Sequence, residues 1–402
     1  MNIADSKILH ECTSCQVCAA VCPKDAISIS LNEDGFYRPL VDEKSCIDCS
    51  LCVKVCYKYD DQLKISSGED LGKTQLYAAW AKSDSLVKNT TSGGIGDLLA
   101  RELIKEGYKV VGVAYNDGKV RAEHRIANTL DETLPFRGSK YIQSYTLDAM
   151  KEVVLKGKSE KYAVFGTPCQ IYALNRWAER RKIRDNFFFV DLYCHGCPSL
   201  HIWTKYQQHI KEKLGLSQFS KVEFRSKVKG WGYFCVKVEV GGQSVFVSHP
   251  SDDGFYELFF SDQVLNDGCR DCQLRSTHEY TDIRLGDFWG KKYLDNHRGV
   301  SAVSLVTDRA KAVFSNIQQE VDSHISDFAD FLPYQSWGKS YQPNLAARRV
   351  ILDSLRKPDE SIFDAVRAYR KHQTVKGTAM RLLKHVLYYC PQGVTTFLKK
   401  IK

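Results

Sequence analysis

Eight of the fifteen cysteines in this 402-residue chain stand in two runs of identical spacing. Cys12, Cys15, Cys18 and Cys22 follow C-x2-C-x2-C-x3-C, and Cys46, Cys49, Cys52 and Cys56 repeat it 34 residues later. The constant offset marks an internal duplication. Three closely spaced thiolates hold three corners of one [4Fe–4S] cubane, and the fourth cysteine of such a run reaches the other cluster. The spacing therefore predicts crossed sets, with Cys12, Cys15, Cys18 and Cys56 on one cluster and Cys46, Cys49, Cys52 and Cys22 on the second. Pro23 follows Cys22 and turns the chain away, whereas Tyr57 stands where the repeat would place a second proline. Two zinc sites would also consume eight ligands, but the triple spacing given twice favours clusters. Each cluster carries one electron, and crossed ligation keeps the two cubanes close enough for electrons to hop.

A further pair, Cys269-x2-Cys272, needs partners from elsewhere in the chain. Cys169 and Cys194 each follow an apolar strand-like run and are the best placed to converge with it, and Cys197 is a substitute for either. A third [4Fe–4S] cluster on Cys169, Cys194, Cys269 and Cys272 is one expectation. Packed core thiols are the other, because free cysteine is commonly buried. Cys235 and Cys390 read as structural.

These residues need elements to position them. Val110–Ala114, Tyr162–Phe165 and Phe187–Val190 read as strands, and 95–106 and 145–156 have helical spacing. The alternation predicts an α/β core. Phe234 to Val247 alternates around Gly241-Gly242 and reads as a hairpin. The strand at 162–165 runs into Gly166-Thr167-Pro168-Cys169-Gln170, the next into Cys194-His195-Gly196-Cys197, and the apolar stretch near Ile283 into Gly286-Asp287-Phe288-Trp289-Gly290. Ligands gather at the carboxyl ends of strands in such sheets, so the three loops suggest one shared site. Ser92-Gly93-Gly94 opens a helical segment, which suits either an anion or a plain turn. Asp60 to Thr74 is polar and reads as a linker. The expected domains are 1–62, 75–335 and 336–402.

Net charge is +9 and unevenly spread: residues 1–60 hold 6 Lys and Arg against 9 Asp and Glu, and residues 341–402 hold 13 against 4. The basic end reads as a solvated helical surface before it reads as a site for an acidic partner, and no nucleic-acid partner is expected. Within 376–402, Ala379, Leu382, Leu383, Val386, Leu387, Phe397 and Leu398 alternate with Lys and Arg. That amphipathic pattern fits a helix packed on the body better than one lying on a membrane surface. There is no run of eighteen apolar residues and no apolar leader at the start, so the expected location is cytoplasmic.

Several motifs taken together resemble the β-subunit family of coenzyme F420-reducing hydrogenase and F420-linked dehydrogenases, including bacterial members fused to a ferredoxin domain and associated with surface-polysaccharide gene clusters. They are Ser92-Gly93-Gly94, Gly138 to Ser144, Gly166 to Ile171, Asp191 to Gly196, Phe224-Arg225-Ser226-Lys227 with Gly230-Trp231, Cys269-x2-Cys272, and Asp282 with Gly286 to Gly290. The resemblance implies an N-terminal bacterial-type dicluster ferredoxin module, a mixed α/β flavin-binding domain and a helical C-terminal region. It implies FAD beside an iron–sulfur cluster, a redox partner protein or ferredoxin, and a small organic substrate or deazaflavin. The rival expectation is an electron relay with no substrate of its own. Ser92, Gly93 and Gly94 would hold flavin phosphate, and Lys140 would pair with phosphate or sit near the ring. Tyr141, Gly166, Thr167, Pro168, Gln170 and Trp289 would line the cofactor. His195 is a candidate proton donor, with a structural hydrogen-bonding role slightly favoured. Asp287 is a candidate ribose or general-acid group, with a helix cap as the rival.

Overall fold

The computed structural model describes residues 1–4, 11–249 and 253–390. In the first sixty residues, β1 (Ile27–Leu31) and β2 (Tyr37–Val41) form an antiparallel ribbon, and the cysteine runs lie on turns and one-turn helices at Val17–Ala20 and Leu51–Lys54. Next come β3 (Gln75–Ala81), β4 (Lys109–Asn116), β5 (Arg121–Ala127), β6 (Ser144–Tyr145), β7 (Tyr162–Phe165) and β8 (Phe187–Leu192). A separate three-stranded sheet follows, made of β9 (Lys221–Ser226), β10 (Cys235–Val240) and β11 (Gln243–Val247). The last strands are β12 (Ile283–Asp287), β13 (Ser301–Leu305) and β14 (Val321–Ile325).

The nine-stranded sheet runs β14-β3-β13-β12-β8-β7-β4-β5-β6. Its centre, β4-β7-β8-β12, is parallel, and the flanks are mixed. The apolar run of β8 has a simple cause: side chains alternate across a strand and both faces are covered. Phe187 and Phe189 join the core formed with the helices Leu147–Lys156 and Pro168–Arg180. Phe188 and Val190 join the opposite core with the helices Ile95–Lys105 and Asp308–Ile317. The parallel centre sends the loops after β7, β8 and β12 to one edge, as the sequence predicts. The hairpin is β10–β11, with Gly241 and Gly242 at φ 58° and 80°, a turn for which glycine is the ordinary residue.

Two segments differ from expectation. The stretch 60–74 is not a free linker. Ser66 N–H donates to the Ser276 carbonyl (3.0 Å), Ser66 Oγ accepts from His278 N–H (2.9 Å), and Gly68–Lys73 is a helix with a Ser67–Asp70 capping box. A polar sequence can dock through its backbone without an apolar signature. The second difference is the helix Val375–Tyr389. Leu382, Leu383 and Val386 are exposed, so this helix is not packed on the body by its apolar face. Phe397 and Leu398 lie outside the described residues. No helix among the described residues is long and apolar enough to cross a membrane.

The N-terminal module is built into the body. Val17, Ala19, Ala20 and Val21 share a core with Met150, Val153, Ile171 and Trp177. Gln16 caps the next layer: its side chain donates to the Ser144 carbonyl and accepts from Thr146 N–H, both at 2.9 Å. Gln143, 1% exposed, donates to the carbonyls of Gly35 (2.7 Å) and Pro198 (2.8 Å). Burying so polar a group is tolerable only because its hydrogen bonds are made.

Candidate iron–sulfur electron-transfer site

Cys12, Cys15, Cys18 and Cys56 line one cavity, together with Tyr37 and Val55. Cys22, Cys46, Cys49 and Cys52 line a second, with Asn2 and Ile27. The fourth cysteine of each run thus sits with the first three of the other. Cys12 accepts Ser14 N–H (3.4 Å) and Cys46 accepts Asn2 Nδ2–H (3.7 Å). Among the described residues no three His, Cys, Asp or Glu side chains converge as ligands of a single ion. A cubane brings its own irons between the sulfurs, so its thiols stand around a volume rather than at one point.

A third gathering lies in the body. Cys169 is the second residue of the helix Pro168–Arg180, Cys194 follows β8, Cys269 lies within the short helix Asp267–Arg270, and Cys272 follows that helix. Each of Cys169, Cys194, Cys269 and Cys272 interacts electrostatically with the other three. Cys197 interacts with Cys269, Cys194 and Cys169 as well, so a fifth thiol stands with this set. The Thr167–Gln170 capping box aims Cys169, whose sulfur lies 3.2 Å from Thr167 Oγ1. Arg275, 4% exposed, ties the two cysteine loops together. It donates to the carbonyls of His195 (2.7 Å), Cys194 (3.3 Å), Arg270 (3.1 Å) and Cys269. Arg284, in a bidentate buried pair with Asp191, adds positive charge beside Cys194.

The three sets form a succession. Cys52 feels Cys18 across the first boundary, and Cys15 feels Cys169 more than any other thiol across the second. Tyr57, the residue that breaks the repeat, donates its hydroxyl to Cys272 Sγ and the Gly268 carbonyl, both at 3.4 Å. A proline there would leave this link unmade.

Burial drives these thiols toward the neutral form, pushing Cys56 and Cys169 up to about 12 and Cys194 up to about 11. A pKa raised by folding means that the unfolded chain ionises first, so cluster-free protein loses stability as pH climbs from about 9 toward 12. We expect the denaturation midpoint of cluster-free protein to fall measurably between about pH 8 and pH 10, and that of loaded protein, whose sulfurs hold iron, to stay nearly level.

The other expected site residues divide. The sequence suggests that Gly93 offers its amide to phosphate, but that amide donates to Ser301 Oγ at 2.9 Å. Gly93 is glycine because a Cβ would strike the Ala79 carbonyl and Trp80 Cα on β3. Ser92 Oγ donates to the Val300 carbonyl (2.8 Å), and Gly94 caps the helix in the left-handed region at φ 85°. Gly166 is bonded to Val190 on β8 (3.0 Å), and Gln170 Oε1 accepts Thr167 N–H (2.8 Å), so Gly166, Thr167, Pro168 and Gln170 serve the Cys169 turn. His195 is engaged at both ring nitrogens, Nε2 with Asp262 (2.8 Å) and Nδ1 with Tyr341 (3.0 Å). The Asp287 carboxylate is likewise engaged, by Arg225 and by Trp231 Nε1 (3.3 Å). Cys235 is fully buried, and Cys390 donates to the Val386 carbonyl (3.6 Å).

At the same sheet edge, Arg225, Lys227, Tyr141, Trp231 and Trp289 gather near Asp287, and Lys140 precedes Tyr141 in the chain. The two indoles stack at 4.4 Å and 14°, and the Arg225 guanidinium lies 4.9 Å from the Trp289 ring centre and 3.2 Å from Tyr141 Oη. Lys140 donates to the carbonyls of Pro135, Phe136 and Arg137 at 3.0–3.1 Å, and Lys227 to those of Val87 (2.6 Å) and Ser92 (2.5 Å). Neither lysine has a carboxylate in hydrogen-bond reach among the described residues, and burial pulls both down to about 7. Arg225 Nε is buried without a partner. Sequence reasoning does not single out Arg225, Lys227 or Arg275 as site residues. The first two have a signal in the Phe-Arg-Ser-Lys motif. Arg275 has none, since it acts only through backbone carbonyls.

Residues 159–330 match the family model for the C terminus of the beta subunit of coenzyme F420 hydrogenase/dehydrogenase, and residues 11–58 match a 4Fe-4S dicluster domain. An uncharacterized protein of Methanocaldococcus jannaschii is 27% identical over 191 residues, covering 41% of this chain and 52% of its own. An F(420)H(2) dehydrogenase subunit of Methanosarcina mazei is 25% identical over 243 residues, covering 56% of this chain and 65% of its own. The chain therefore spans about half to two thirds of the length of these relatives. A polypeptide of the F420-reducing [NiFe] hydrogenase complex from Methanosarcina barkeri superposes with a TM-score of 0.45 and 19% identity, over 74% of this chain and 88% of that one. The chain thus joins a 4Fe-4S dicluster domain to a region that matches the C-terminal domain of the coenzyme F420 hydrogenase/dehydrogenase beta-subunit family.

Proposed function

We propose that this protein is an iron–sulfur flavoprotein oxidoreductase. In this reading a carrier protein exchanges electrons with the set Cys22, Cys46, Cys49 and Cys52. They pass through the set Cys12, Cys15, Cys18 and Cys56 to a third cluster on Cys169, Cys194, Cys269 and Cys272. The observation that carries the reading is the unbroken succession of thiol sets from the N-terminal module into the body. All three sets fit clusters by the chemistry of their donors, the first two offering four thiols around a shared cavity and the third four thiols within electrostatic reach of one another.

A bound FAD would convert one-electron traffic into hydride transfer with an organic substrate or deazaflavin. The edge around Asp287 suits such a group. Arg225 Nε lacks a partner, and Lys227 stands near Asp287 with no carboxylate in hydrogen-bond reach, so Arg225 and Lys227 together outnumber that acid. Arg225 and Lys227 would hold anionic oxygen, Trp231 and Trp289 would offer ring faces, and the burial of this edge would keep water out. Tyr141 would hold its phenolic proton, since burial raises its pKa.

The test is anaerobic. Reduced ferredoxin is mixed with loaded protein and bleaching of flavin absorbance is followed. Cys169→Ser is expected to retain flavin and the first two clusters while slowing bleaching by about a hundredfold or more, about 3 kcal/mol in the barrier. Unchanged bleaching rules out the third set as the route. A flavin face covered by a docked protein would instead favour the relay reading.

A further inference from the structure

The helix Ile362–Lys371 buries Ile362, Ala365 and Val366 against the body. The helix that follows does not behave this way. Val375–Tyr389 is started by its own cap, Gly377 N–H on Thr374 Oγ1 at 3.1 Å, and it exposes Val375 (89%), Leu382 (53%), Leu383 (48%), Val386 (59%) and Tyr389 (66%). At about 3.6 residues per turn these five positions, with Ala379, fall within about a third of the helix circumference. One apolar stripe thus runs the length of the helix and faces solvent. Arg381 and Lys376 flank it. From residue 365 to the end, the chain carries nine Lys and Arg and no Asp or Glu.

We infer that this helix is a peripheral membrane contact, lying in the interface of an anionic lipid surface with its apolar stripe immersed and its cations among the headgroups. An apolar face beside cations, on a helix that leaves that face exposed and meets the body where Tyr389 stacks on His249 (5.2 Å), is what an interfacial helix requires. The charge selects the partner. A second copy of the chain would set one acid-free segment against another and repel it, whereas anionic headgroups attract each nearby Lys or Arg. The inference does not depend on the cofactors proposed above.

The experiment pellets full-length, cluster-loaded protein with vesicles of phosphatidylcholine alone or mixed equally with phosphatidylglycerol. Binding to the mixed vesicles is expected to exceed binding to the neutral ones by about tenfold or more and to weaken as ionic strength rises from about 0.1 M to 1 M. Leu382→Asp with Val386→Asp, and separately Lys376→Glu with Arg381→Glu, are each expected to lower it by about tenfold. All four side chains lie on the outside of the helix, and iron content checks that the variants remain folded. Absence of binding to the mixed vesicles, equal binding to the neutral ones, or indifference to both variants overturns the inference. A dimer in lipid-free solution that the Leu382/Val386 variant abolishes also overturns it, and assigns the stripe to a second copy.

Discussion

Serine at position 22 is expected to cost the protein the cluster built on Cys46, Cys49 and Cys52, and to leave the one beside its own neighbours in the chain. Cys22 lines the cavity of the second run, while Cys12, Cys15 and Cys18 line the other together with Cys56. The iron content of Cys22→Ser should therefore fall by up to about four per chain. Cys56→Ser is the mirror experiment and should empty the set that faces Cys169. The two variants then separate by function. Loss of the outer set slows electron entry from a carrier, whereas loss of the inner set breaks the succession into the body. Low-temperature electron paramagnetic resonance of the reduced proteins distinguishes which signal disappears. Loss of the Cys12 signal in Cys22→Ser would mean that each run serves its own cluster.

Gly268→Ala is expected to be the most damaging single methyl group in the chain. A Cβ at this position would collide with the carbonyl oxygen of Glu11 and come within 3.0 Å of the Cys12 carbonyl carbon. Both are backbone atoms, so neither can rotate away. Gly268 also accepts the Tyr57 hydroxyl, and it precedes Cys269. The methyl would have to push the Cys269–Cys272 loop off the N-terminal module. Overpacking of a rigid contact costs about 1–3 kcal/mol, and a collision with backbone lies at or beyond the upper end. The expected result is a fall in thermal midpoint, together with lowered iron in both the Cys12 and the Cys269 sets. Asn266→Ala is the comparison. It removes the bond to Ser14 Oγ (2.9 Å) and the acceptor for Arg38 (3.1 Å) from the same contact without a collision, and should cost less.

What can be read in the sequence divides along physical lines. The crossed thiol sets are legible because a duplication with fixed offsets is a one-dimensional signal. Cys169 and Cys194 are legible at one remove, since parallel strands deliver their following loops to a common edge. The glycine motif is ambiguous at Gly93, because a close approach of two backbones, which the structure has there, and a phosphate cradle ask for the same residue. His195 and Asp287 carry the chemistry of an acid, but Asp262, Tyr341, Arg225 and Trp231 occupy them, and those partners come from 56 to 146 residues away. Arg275 has no signature at all, since it recognises carbonyls that every residue possesses. Residues 60–74 look like a linker for the same reason. Their anchoring runs through Ser66 and backbone atoms, and composition does not record it.

We propose that three clusters and a flavin share this chain. The most direct test is the content of iron, acid-labile sulfide and released flavin per chain after purification without oxygen. The account predicts about twelve irons, about twelve sulfides and about one FAD, taking four irons and four sulfides for each cluster. About eight irons with no flavin would contradict it, leaving the N-terminal module as the only redox centre.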